Sequence, residues 1–274
     1  MRVKTVPFMQ GLQWVKTGLM LAWSQPLGFT GLLGLILTVG MMLLMVPILG
    51  LVVIVGLMPL VWLLFMLATR QAEQGLRINP LILLQHIFHA WQVPPRKKQW
   101  AQLGLLYVAA TVLVMVLANV LGPDVDALAQ AMEKASDSTS TADVFQDPVL
   151  MQSLLWRMAL TWPVALLFWH TPALLHWGQV SPLKAVFFSA IVCWRNLGAY
   201  VVYGLGWAAV IVSLGLPLQL LGALLGPGIW LQALSIALGL WVVSAFYASL
   251  DATVSDCLDW DASPSAAPAA NVTE

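Results

Sequence analysis

Six long apolar runs govern what this chain can become, because each approaches the roughly 20 helical residues that a hydrocarbon core demands. They fall near Leu27–Val46, Leu51–Ala68, Ala101–Leu121, Leu154–Leu175, Leu197–Leu216 and Ile229–Leu250. A backbone inside lipid must satisfy its own hydrogen bonds, and none of the runs alternates as a barrel strand would. Only 9% of the 274 residues are charged and 60% are hydrophobic, too little polar surface to clothe a soluble globule of that size. The expected fold is all-α, a polytopic membrane protein with six transmembrane helices.

A shorter pattern punctuates the runs. Trp23 precedes Leu27-Gly28, Trp100 precedes Leu103-Gly104, and Trp194 precedes Leu197-Gly198, each pair opening an apolar run. Tryptophan favours the headgroup boundary, so each copy reads as an interfacial anchor. Ahead of the first, Gln10, Gln13, Thr17 and Ser24 share one helical face and Phe8, Leu12, Val15 and Leu19 the other, which predicts a helix lying in the interface, apolar side down. Asn79-Pro80 and Ser181-Pro182 offer an N-cap residue followed by proline, a favoured helix start. After Pro80, a stripe of Leu81, Leu84, Phe88 and Trp91 opposes Gln85, His89 and Gln92, whereas Leu183–Cys193 is apolar nearly all round and reads as either interfacial or re-entrant. The resulting organisation is one domain, 1–261, of three repeats, about 8–70, 79–178 and 181–251, each an interfacial helix plus a transmembrane hairpin.

The connections differ in character. Pro47 and Gly50 predict a tight first hairpin, while Pro217–Gly228 is glycine-rich, apolar for a loop, and reads as either interfacial or re-entrant. The stretch 123–149 carries Asp124, Asp126, Glu133, Asp137, Asp143 and Asp147 against Lys134 alone, an acidic outer loop. Residues 262–274 read as a disordered cytosolic tail.

Charge sets the expected orientation. With a cytosolic N-terminus, Arg2, Lys4, Lys16, Arg70, Arg77, Arg96, Lys97, Lys98, Lys184 and Arg195 all fall inside, and only Lys134 and Arg157 outside. Positive residues mark the cytosolic side, so both termini are placed in the cytosol of a bacterial inner membrane. Gln10, Gln13 and Lys16 interrupt the first apolar stretch, and no cleaved signal is expected. Cys193 and Cys257 then face a reducing compartment, which predicts no disulfide.

No span holds an internal aspartate or glutamate, which weighs against ion-coupled transport. The candidate intramembrane polar site is Arg157, His170 and Thr171. His170 is expected to hydrogen-bond a carbonyl freed by Pro172, with proton relay or metal binding as the alternative, and Arg157 to snorkel to the outer interface. Pro163 and Pro172 are the candidate helix breaks. His86 and His89, three apart with no further ligand beside them, make no expected metal site, and no catalytic motif or cofactor loop is present. Arg96, Lys97, Lys98 and Trp100 are candidate contacts for anionic lipid, although such a basic run also serves topology alone. Nucleic acid is not an expected partner.

Leu27 to Leu33, Phe65 to Arg70, Pro172 to Gly178, Ser181 to Ser189 and Cys193 to Gly198 together resemble an uncharacterised family of six-helix proteobacterial inner-membrane proteins. The resemblance implies location and topology and carries no activity. The expected function is therefore a non-enzymatic accessory, assembly or envelope-maintenance component that binds lipid or another membrane protein. A small transporter or channel with its pathway between the repeats is the alternative.

Overall fold

A computed structural model describes residues 2–85, 94–137, 147–226 and 228–260. In chain order these form β1 (Arg2–Val3), α1 (Gln10–Ser24), α2 (Pro26–Leu44), α3 (Leu49–Glu73), α4 (Pro94–Leu121), α5 (Val125–Asp137), α6 (Pro148–Phe168), α7 (Thr171–His176), α8 (Pro182–Arg195), α9 (Leu197–Leu225), α10 (Ile229–Ala248), α11 (Leu250–Cys257) and β2 (Leu258–Asp259). Six stretches are long and apolar enough to cross a membrane: Pro26–Leu44, Leu49–Glu73, Arg96–Leu121, Pro148–His176, Leu197–Leu225 and Ile229–Cys257. The all-α, six-span expectation holds.

Local chemistry explains where the ends fall. Asn79 accepts from the Leu81 and Ile82 amides at 3.1 and 3.4 Å and caps a helical start at 80–85, as Asn79-Pro80 predicts; the rest of that segment, with His86 and His89, lies outside the described residues. Ser181 makes no side-chain cap, although Pro182 does open α8. The fourth span starts at Pro148 rather than Leu154, because Asp147 accepts from the Val149 and Leu150 amides at 2.8 and 3.1 Å and caps it. Pro217 corrects a second expectation: α9 runs through it to Leu225, so most of the expected apolar loop is helix. Part of the acidic stretch is likewise the helix α5, packed on α6. The first hairpin is tight as expected, with Ile48 rather than a glycine taking the left-handed backbone at φ 60°.

The tryptophan signature divides. Trp23 and Trp194 are 77% and 79% exposed, as anchors should be, but Trp100 is 6% exposed and packs with Leu60, Leu63, Leu103, Phe168 and Leu175. Trp100 is core, which corrects its expected place among the lipid contacts. Its neighbour Gly104 has a packing reason: a Cβ there would sit 2.5 Å from the Gly56 carbonyl oxygen, so α3 and α4 meet backbone to backbone.

Helix α1 lies across α9 and α10. It buries Gly11, Trp14, Val15, Gly18 and Ala22, so the expected apolar stripe is split: Val15 is buried and Leu19 half-buried, whereas Phe8 and Leu12 are exposed. Close packing of small residues outweighs bulk here, since only glycine lets the backbones approach. The chain ends are also joined. Arg2 pairs with Asp259 and Val3 with Leu258; the Lys4 amide donates to the Cys257 carbonyl at 2.9 Å, and the Lys4 ammonium lies 3.2 Å from Asp259. Asn196 accepts from the Val6 amide at 2.8 Å and donates to the Lys4 carbonyl at 3.0 Å. Both ends of the described chain thus lie at one end of the bundle, as an even number of spans requires.

Candidate functional site

The fourth span breaks between Phe168 and Thr171, and polar groups gather at the break. Pro172 lacks the N–H that would reach the Phe168 carbonyl, and the Thr171 hydroxyl takes that carbonyl at 2.7 Å. The expectation for His170 is corrected accordingly, since its neighbour fills the role. Two residues earlier, Ser189 of α8 inserts into the ladder: its hydroxyl accepts from the His170 amide at 3.0 Å and donates to the Leu166 carbonyl at 3.1 Å. The imidazole is left to face α9, where Nε2 lies 2.7 Å from the Tyr200 hydroxyl. Among the described residues Nδ1 has no partner, and the side chain is fully buried.

Around this pair stands an aromatic wall. Trp14, Trp169, Tyr200 and Tyr203 pack with centroids 5.3 to 5.9 Å apart. Their polar tips are matched too: the Trp169 indole donates to Thr253 at 3.0 Å, the Tyr203 hydroxyl meets Ser249 at 2.6 Å, and the Trp14 indole and Gln10 amide donate to Asp256 at 2.8 and 2.7 Å. Cys193 and Cys257 are buried and not joined by a disulfide. Burial pushes the Cys193 thiol up to about 12, so it stays protonated.

A buried ion pair adjoins the wall. The Arg70 Nε donates to both Asp251 oxygens at 3.0 and 3.1 Å, and its guanidinium lies 3.5 Å from the Trp177 ring centroid. Thr69, beside it, donates to the Ala248 carbonyl at 2.9 Å, tying α3 to the end of α10. Asp251 lies one position beyond the sixth apolar run, which ends at Leu250, and Arg70 reads from the sequence as a topology marker alone. Tyr200 and Ser189 carried no local signal, because their partners are distant in sequence.

The remaining candidates are dispersed. His170 and Thr171 are adjacent in the site, but Arg157 is thirteen residues back along α6, roughly 20 Å at helical rise. It donates to Ser153 and to Asn119 of α4, both at 3.3 Å. Arg96 reaches Gln179 at 3.4 Å, and Lys97 and Lys98 are exposed. Among the described residues no group of three or more His, Cys, Asp or Glu is placed to hold a metal.

A direct consequence can be measured. Tyr200→Phe should destabilise the protein by about 1–3 kcal/mol, because it leaves both imidazole nitrogens buried without a partner. In a His170→Leu background the same change should cost little; equal losses in both backgrounds would show that the pair does not interact.

A Burkholderia thailandensis protein named a probable inner membrane protein is 30% identical over 247 residues, covering 90% of each chain. No family model matches the chain, and no solved structure does.

Proposed function

This chain belongs to the same family of uncharacterised inner-membrane proteins as that Burkholderia protein, and from that premise we propose that it is a non-enzymatic accessory, assembly or envelope-maintenance component. The observation that carries the reading is the closure of its polar end. His170 with Tyr200, Trp169 with Thr253 and Tyr203 with Ser249 engage one another inside an aromatic wall, and Arg70 engages Asp251 beside it. A transport pathway needs polar groups that face water or a moving ion; these face each other.

The working surface is the rim around that end. Trp23, Leu183, Phe187 and Trp194 are exposed there beside Lys16, Lys184 and Arg195, which suits a membrane interface on the positively charged cytosolic side. The three repeats belong to the same reading. Helices α1 and α8 each lead into a Leu-Gly entrance, and in this reading they are two members of a collar of interfacial helices around the bundle.

Two measurements test this. Protein purified in gentle detergent should retain a stoichiometric membrane partner or lipid, and in liposomes it should pass no ion or solute; a flux abolished by His170→Leu with expression intact would overturn the reading. A periplasm-active reporter fused after Glu274 should be silent and one inserted near Ser138 active, and the reverse pattern would invert the orientation.

A further inference from the structure

The rim carries one site with more definition than a basic patch. Three elements bring Arg70, Arg96, His176, Trp177 and Gln179 together. Trp177 lies against Arg70 and packs edge-on with His176 at 5.1 Å, Gln179 donates to the His176 carbonyl, and Gln179 accepts from Arg96 at 3.4 Å. His176 lies within electrostatic reach of both arginines.

Arg70 is the oriented member. Asp251 holds only its Nε edge, and the Trp177 face fixes the guanidinium plane. Among the described residues Nη1 and Nη2 have no partner, and the side chain remains 29% exposed. A guanidinium held in this way presents a two-donor fork suited to a phosphate. The carboxylates of Asp251 and Glu73 lie within electrostatic reach and offset part of the charge. Arg96 and the exposed Lys97 and Lys98 keep the patch positive.

We propose that Arg70 and Arg96 form a binding site for the phosphate of an anionic phospholipid headgroup, with Trp177 rather than Trp100 as its aromatic wall. The assignment rests on the membrane-interface reading of the rim above. Arginines at the ends of two spans, next to a tryptophan, stand where headgroup phosphates do.

Native mass spectrometry of the full-length protein, titrated with phosphatidylglycerol or phosphatidylcholine, reads this directly. Arg96→Gln and Arg70→Lys should each weaken phosphatidylglycerol binding about tenfold, the loss expected for charge-assisted hydrogen bonds, and leave phosphatidylcholine unchanged. Arg70→Lys keeps a cation beside Asp251 while removing the fork; Arg96→Gln, with its single long bond to Gln179, carries the test if Arg70→Lys lowers expression. Lys97→Gln and Lys98→Gln should have smaller effects. Unchanged phosphatidylglycerol binding in Arg96→Gln, or equal loss from every basic substitution, would overturn the site. Displacement of the lipid by millimolar inorganic phosphate would overturn the headgroup assignment. A flux in liposomes with lipid binding intact would instead sink the accessory reading and leave the site standing.

Discussion

Gly11→Val should unseat α1 and lower stability by about 3 kcal/mol, at the upper end of what overpacking does. A Cβ at Gly11 would run into the Ala199 carbonyl oxygen and sit 2.6 Å from the Tyr203 nitrogen, both backbone atoms that cannot rotate aside. The effect would spread, because α1 also supplies Trp14 to the aromatic wall and, through Gln10 and Trp14, both hydrogen bonds to Asp256. Gly31 in α2 provides the control, since a Cβ there meets nothing within 4 Å. Gly31→Ala should be neutral or gain up to about 1 kcal/mol from helix propensity. Thermal unfolding in detergent would separate them, and equal midpoints for the two variants would refute the packing of α1.

The Arg70–Asp251 pair should respond unequally to loss of its two partners. Arg70→Ala strands a carboxylate whose side chain is only 3% exposed, and should cost about 3–5 kcal/mol, less whatever protonation of the acid relieves. Asp251→Ala leaves Arg70 on the Trp177 face with 29% exposure, free to turn toward headgroups or water, so about 1 kcal/mol is expected. Arg70→Met combined with Asp251→Leu should recover most of the loss, since buried pairs rarely outperform apolar packing. If Asp251→Ala proves the more damaging single change, the pair is not organised as described.

Much of the architecture was legible because lipid imposes it. Apolar runs marked all six spans, Asn79-Pro80 marked a helix start, and Pro47 with Gly50 marked a tight turn. What stayed hidden depended on contacts distant in sequence. Hydropathy cannot tell a tryptophan at a surface from one inside, so Trp100 read as an anchor until Leu63 and Phe168 closed over it. It also cannot tell that Pro217 is carried inside a helix. Gly11, Gly18 and Ala22, at spacings of seven and four, carry the signal for the packing face of α1, which a stripe of bulky apolar residues does not show. His170 stands out in the sequence, but its partner Tyr200 lies thirty positions away on another span.

The central claim is that the polar end of the bundle is closed, and the chain's two native cysteines report on it without any substitution. Cys193 and Cys257 are 1% and 0% exposed, and the Cys193 thiol is pushed up to about 12, which keeps the reactive thiolate scarce near neutral pH. A small water-soluble maleimide applied to the folded protein in liposomes at pH 7 should label neither thiol over a time in which the same protein in denaturing detergent is labelled fully at both. Rapid labelling of either cysteine in the folded protein would mean that water reaches the wall around Tyr200, and would contradict the account.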